Sequence, residues 1–291
     1  MLALAAAQPA AAQASSGNAA AATTSKRAKP TLRLCEDPNN LPFSSTETVG
    51  LEHKIGELLA RDLGTTVEDV WQPQRIGFVR NTMGAGRCDL IVNVPAHYDP
   101  VATTKPYYRT TYVFVYRTDR GYHITSLDDP VLKHMKIGVQ LVGADNENPP
   151  GAEALARRGL MKNVVGFSVY GDSATGYMGG PNPAADIVHA VARGDVDVAI
   201  VWGPTAGYFA PREGVPLTLV PVTPSVDTLS GKRFVYDMAM GVPKADTGAV
   251  TLLNGLIERE RPAIEKLLRE YGVPLVRGDK TALTTAEQDK H

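Results

Sequence analysis

Apolar positions from Thr31 onward follow two alternating periods. Short β-branched or apolar runs at 32–35, 67–71 and 88–94 predict strands, the last of them buried. Between the first two, Leu51, Ile55, Leu58, Leu59 and Leu63 fall on one helical face, and Gly64 stands where a C-terminal cap belongs. Residues 76–83 predict a second helix, stopped by Gly84. Further strands are predicted at 112–116, 136–139, 164–169, 196–202, 217–222 and 234–240. A helix starts near Ala184 after the Gly176-Tyr177-Met178-Gly179-Gly180 and Pro181-Asn182-Pro183 loop, and a helical tail at 249–271 is broken or bent at Pro262. This alternation predicts an α/β fold with mostly parallel strands.

One unit recurs. A helix ending in Gly86-Arg87-Cys88-Asp89 runs into Leu90-Ile91-Val92, and another ending in Gly194-Asp195-Val196-Asp197 runs into Val198-Ala199-Ile200-Val201. Each reads helix, G-x-x-D, buried strand. The recurrence suggests two similar α/β lobes, although so short a motif also recurs by chance.

Composition separates the N-terminus from the rest. Twelve of the first 22 residues are Ala, and no charged side chain precedes Lys26. Ala12-Gln13-Ala14 reads as the A-x-A end of a secretory signal cleaved before Ser15, the alternative being an Ala-rich tether. Residues 1–30 are expected to be unstructured, and export to the periplasm is the preferred reading. The formal charge of -1, from 30 Lys plus Arg against 31 Asp plus Glu, lacks the basic excess of a nucleic-acid binder. No segment offers the ~18 uninterrupted apolar residues of a spanning helix, so no membrane span is expected.

Asn40-Leu41-Pro42-Phe43-Ser44 after the first strand, Gly50-Leu51-Glu52 opening the first helix, and Lys105-Pro106-Tyr107-Tyr108 before the next strand resemble, in that order, the type II periplasmic solute-binding proteins. The likeness spans nearly all of residues 31–275 and implies a two-lobed, venus-flytrap α/β fold. It also implies two crossings between lobes, near 117–122 and near 223–233. Lobe 1 would be 31–117 with 235–281, lobe 2 would be 118–234, and 282–291 a flexible tail. Cys35-Glu36-Asp37-Pro38-Asn39-Asn40, Pro73-Gln74-Arg75-Ile76-Gly77-Phe78-Val79-Arg80-Asn81-Thr82, Gly86-Arg87-Cys88-Asp89 and Val201-Trp202-Gly203-Pro204-Thr205-Ala206-Gly207-Tyr208-Phe209 narrow the resemblance. Together they are similar to the quinoprotein-dehydrogenase-associated branch, the J components (XoxJ and MxaJ) found with PQQ methanol dehydrogenases. The resemblance implies a non-enzymatic periplasmic accessory protein that assists maturation or activation of the dehydrogenase in methanol oxidation. The lanthanide-type enzyme is favoured over the calcium-type one as partner, with the enzyme's cytochrome c a further candidate.

Amino-acid-binding relatives hold the ligand carboxylate with an Arg after the strand equivalent to 90–94. Here Pro95-Ala96-His97-Tyr98-Asp99-Pro100 follows, without Arg. Those relatives pair the ligand ammonium with an acid in a Gly-aromatic-Asp element, where this chain has Gly50-Leu51-Glu52-His53. Their Gly-Ser/Thr turn at a second-lobe helix N-terminus is not reproduced in Val142-Gly143-Ala144-Asp145-Asn146-Glu147-Asn148-Pro149-Pro150. A conventional amino-acid ligand is therefore not expected. The residues expected at the cleft, by the rule that strand C-termini form the crevice, are Asn40, Phe43, Tyr98, Tyr107, Tyr108, Trp202, Tyr208 and Met238, with Met240 beside them. Such a surface suits an apolar segment of a partner protein. Phe43 and Tyr107 are equally compatible with lobe core. Trp202, after a buried strand and before Gly203-Pro204, is the strongest of the set. The rival reading is the solute-binding component of an ABC importer for a small molecule.

In the fold so implied, the strands bearing Cys35 and Cys88 are neighbours, which makes a disulfide possible. Across their 53-residue separation it would stabilise lobe 1 by roughly 3 to 4 kcal/mol. Two reduced, buried cysteines are the alternative. The six histidines show no metal-binding spacing, and Asp145-Asn146-Glu147-Asn148 lacks the Gly and Glu that a calcium loop needs at its sixth and twelfth positions. No metal or cofactor is expected. No nucleophile elbow, P-loop, G-x-G-x-x-G or C-x-x-C is present, so no catalytic residue is assigned. The Glu258-Arg259-Glu260-Arg261 run reads as a solvated helix face.

Overall fold

A computed structural model describes residues 30–141, 149–168, 182–277 and the short strand Leu283–Thr284. The signal or tether expected over 1–29, the loops around Asp145 and Gly176, and the rest of the tail lie outside the described residues.

The first strand, Thr31–Glu36, pairs in parallel with Thr66–Trp71. On its other side it meets the segment entering Ile91–Pro95 through Leu34 and Leu90. Ile91–Pro95 runs antiparallel to Val235–Val242. The long strand Tyr108–Arg117 then joins the two halves of the molecule. Its first residues pair with 235–238, whereas from Tyr112 onward it pairs antiparallel with Val198–Trp202 and from Val113 onward with Leu217–Pro221. Val198–Trp202 continues in parallel to Ile137–Leu141, and that strand to Val164–Ser168. The fold is α/β as expected, but its sheet is mixed. The parallel pairings lie toward its outer parts, while the long strand and Val235–Val242 pass between the halves in opposite directions. The change of partner falls at Thr111–Tyr112, within the strand.

Helix α1 (Leu51–Asp62) buries Leu51, Ile55 and Leu59 against the first strand, and its mid-helix Gly56 leaves room for Leu34, which an added Cβ would strike. The helix expected at 76–83 is reduced to α2 (Phe78–Asn81) and a single turn at Met83–Ala85. Gly77 and Gly86, both at positive φ, close it off at either end. Helices α3 (Pro150–Arg157) and α4 (Asp186–Arg193) cover the second half, and α5 (Gly203–Phe209) follows directly on Trp202. Helix α6 (Thr247–Glu270) runs through Pro262 without a break. Leu256 and Ile257 before the proline, and Ile264 and Leu268 after it, hold both halves on one core, and that packing outweighs the lost backbone hydrogen bond.

The G-x-x-D repeat has one structural meaning. The Asp89 carboxylate accepts from the Arg33 backbone N–H at 3.1 Å, and the Asp197 carboxylate accepts from the Lys136 backbone N–H at 2.8 Å. In each copy a left-handed glycine ends the preceding turn or helix, and the aspartate then pins the entry of a neighbouring strand. Separate apolar cores form around Leu34, Leu59 and Leu256 in one half and around Phe114, Ile137 and Leu155 in the other.

Candidate functional site

The strand Val198–Trp202 ends beside the point where the long strand changes partner. Gly203 makes the close approach possible, because a Cβ there would collide with the Thr111 carbonyl and the Pro274 ring. Trp202 is held by its backbone N–H, which donates to the buried Gln140 side chain at 2.9 Å. Its ring meets Tyr112, its register partner, at 5.0 Å between centroids, and Tyr236 at 5.7 Å, with Tyr112 and Tyr236 6.3 Å apart. All three rings face one cavity of about 330 Å³.

The opposite wall comes from the first half of the chain. Phe43, Met238 and Pro95 supply apolar surface, and Asn40, Gln74 and Asn93 supply amides. Asn40 donates to the Gln74 side-chain oxygen at 3.2 Å. Gln140, Thr205, Pro149 and Ala184 complete the lining. Among the described lining residues there is no Lys, Arg or His, and the one ionisable acid is Glu52 in the first turn of α1. Glu52 is 8% exposed. Burial drives its pKa well above the carboxylate range, and the nearby Glu36 and Asp37 push it the same way. Behind it, Glu36 is 1% exposed with both carboxyl oxygens unpartnered, and burial followed by the field of Asp69 pushes it up to about 8. Asp37 is raised by burial although it accepts from the Asn39 and Gln74 backbone N–H groups. The cleft thus presents aromatic side chains, amides and an acid whose burial favours its uncharged form.

Of the residues expected at the cleft, Asn40, Phe43, Trp202 and Met238 line this cavity together. Tyr107 and Tyr108 are placed behind it in the core. The Tyr107 hydroxyl donates to the Val92 carbonyl at 2.9 Å and that of Tyr108 to the Asn93 side chain at 2.7 Å. Met240 is fully buried. Tyr98 lies on a separate surface groove with Ile76, Arg75 and Arg80. Tyr208 is buried on the far side of α5, stacked on Tyr271 at 5.9 Å and covered by the Arg212 guanidinium at 3.7 Å. Those four tyrosines and Met240 do not line the cavity. Glu52, Tyr112 and Tyr236 were not anticipated. Tyr112 and Tyr236 lie inside strands predicted from sequence, but their meeting depends on the long-range pairing of 108–117 with 198–202 and 235–238.

Cys35 and Cys88 are joined by a disulfide, with Cα atoms 5.4 Å apart and both residues buried with Phe78, Met83 and Ile91. Among the described residues no group of three His, Cys, Asp or Glu side chains could hold a metal ion. No helix among them is long and apolar enough to cross a membrane.

No family model matches the chain. Protein MoxJ of Methylorubrum extorquens is 31% identical over 278 residues, covering 92% of this chain and 89% of that protein. The crystal structure of the periplasmic binding protein XoxJ from Methylobacterium extorquens AM1 is 32% identical, with a TM-score of 0.67 over 85% of this chain and 100% of its own. That of MxaJ from Methlophaga aminisulfidivorans MPT reaches a TM-score of 0.73 over 84% of this chain and 100% of its own, at 24% identity. The 31% identity to MoxJ across nearly the full length of both chains shows that this protein belongs to the MoxJ family, and the solved structures show that it has the two-lobed type II periplasmic-binding-protein fold.

Proposed function

We propose that this protein is a periplasmic accessory factor of a PQQ-dependent methanol dehydrogenase, of the lanthanide type. It engages the enzyme through the cleft between its lobes and assists maturation or activation by contact, with no catalysis of its own. In this reading lobe 1 is 31–117 with 235–281 and lobe 2 is 118–234. The observation that carries the proposal is the composition of the cleft in a member of the MoxJ family. Trp202, Tyr112, Tyr236 and Phe43 face a cavity whose described lining has no cationic side chain for a ligand carboxylate. Rings of this kind at a junction between lobes are the anchors that protein interfaces use.

The test is a pull-down with purified dehydrogenase in its apo and loaded forms, comparing wild type with Trp202→Ala. Capture that the substitution weakens is expected, and a preference for the apo form would mark a maturation role. No capture of either form by the wild type would overturn the reading. The cavity volume of about 330 Å³ favours a second reading, a solute-binding subunit of an importer. That reading requires a small solute to raise the thermal midpoint by several degrees.

A further inference from the structure

We propose that the surface groove between α2 and the strand Ile91–Pro95 docks an acidic segment of a partner protein that carries an aromatic or aliphatic anchor. The groove adjoins the cleft at Gln74, Asn93 and Pro95, which line both. It is nevertheless a second surface, and the inference stands whether or not the dehydrogenase enters the cavity beside Trp202.

The groove has a held floor. Phe78, Ile91 and Val94 line it, and all three pack in one apolar cluster with the Cys35–Cys88 disulfide. A floor tied by a cross-link is ordered before a partner arrives, which lowers the entropy lost on docking. The groove's volume is about 650 Å³, against about 330 Å³ for the cleft cavity. On its rim stand Ile76, 68% exposed, and Tyr98, 37% exposed. A single exposed apolar side chain is ordinary, but two above one apolar floor form a continuous patch.

The charge of the groove is the second, independent observation. Arg75 and Arg80 line it, and the described lining contains no Asp or Glu. Among the described residues neither guanidinium is in an ion pair, and Arg80 donates only to the Asn81 side chain, at 3.5 Å. A Cβ at Gly77 would lie 2.9 Å from a guanidinium nitrogen of Arg80, so this left-handed glycine lets the cation lie over the turn that opens α2. The acid that feels Arg75 is Asp37, whose carboxylate already accepts from the Asn39 and Gln74 backbone N–H groups. Both arginines are thus left to take carboxylates from outside, for which their planar forks are suited.

These two observations select the occupant. Arginines beside exposed aromatic and aliphatic side chains are the composition of protein-docking anchors. A basic segment would meet like charges, and a small dicarboxylate would leave Ile76 and Tyr98 uncovered. A second copy docking groove to groove would bring the same arginines against one another.

The test is nuclear magnetic resonance titration of the isolated, isotope-labelled protein with three capped pentapeptides. They are acetyl-Asp-Glu-Phe-Asp-Glu-amide, the same peptide with Ala for Phe, and acetyl-Lys-Lys-Phe-Lys-Lys-amide. The acidic Phe peptide is expected to bind at least about tenfold more tightly than either control, with amide shifts concentrated at 75–80 and 93–98. Added salt should weaken that binding. Arg75→Gln combined with Arg80→Gln should remove most of the preference for acid while leaving amide positions elsewhere unchanged. Several wild-type results would each overturn the proposal: equal binding of acidic and basic peptides, no shift at millimolar peptide, or shifts confined to 202–205 in the cleft. Glutarate matching the Phe peptide would assign the groove to a small anion, and shifts that follow protein concentration alone would assign it to a second copy. Either would overturn the proposal as well.

Discussion

At the scale of single residues, the first half of the chain holds a group of acids that local sequence does not announce. Glu36, beside Cys35, sits on a strand whose pattern reads as buried, and nothing nearby in sequence marks its carboxyl group as unpaired. Burial pushes it from an ordinary 4.5 up to about 8. Between those values the folded chain keeps a proton that the unfolded chain has lost, so this group's contribution to stability falls as pH rises and levels off above about 8. Glu52, also raised, acts with the same sign. The uncharged Glu36→Gln variant should therefore gain stability over wild type by a margin that grows from about pH 5 to about pH 9, read as the difference in thermal midpoint. A margin independent of pH would show that Glu36 does not titrate as described. Trp202 was legible, because a buried strand followed by Gly-Pro leaves its last side chain at an edge. Glu52 was visible only as a departure from the amino-acid-binding pattern, since its isolation depends on neighbours distant in sequence.

At the scale of elements, the alternating periods were sufficient to place most strands and α1. They were not sufficient to orient the strands. The antiparallel pairing of Arg109 with Asp237, reinforced by their ion pair at 2.7 Å, is a contact between distant segments that no local period encodes. The helix expected at 76–83 shrank for a local reason that could have been read, since Gly77, at positive φ, falls inside it. Two elements carry direct tests. Replacing both cysteines by Ala should cost roughly 3 to 4 kcal/mol in denaturant unfolding, from the entropy of the 53-residue closure, and an unchanged midpoint would contradict it. Gly207 in α5 packs against the Gly272 turn that ends α6, where an added Cβ would fall on the Gly272 carbonyl. Gly207→Ala should accordingly destabilise the fold by about 1 to 3 kcal/mol, and a neutral effect in the same unfolding assay would mean that the end of α6 is free to shift.

At the scale of the molecule, the long strand Tyr108–Arg117 and the strand Val235–Val242 tie two α/β halves into one sheet, and the aromatic cleft lies where they are tied. The α/β class and the family were legible in ordered motifs distributed along the chain. The cleft was legible only in part, since its wall needs residues 40–52, 112, 140, 202 and 236 brought together by the finished fold. The most direct test of the central claim is amide hydrogen exchange on this protein with and without its methanol dehydrogenase. Exchange should slow at 109–113, 201–206 and 235–237 when the enzyme is present. Unchanged exchange in those segments, or protection confined to the outer face of α6, would contradict the assignment of the cleft as the docking site.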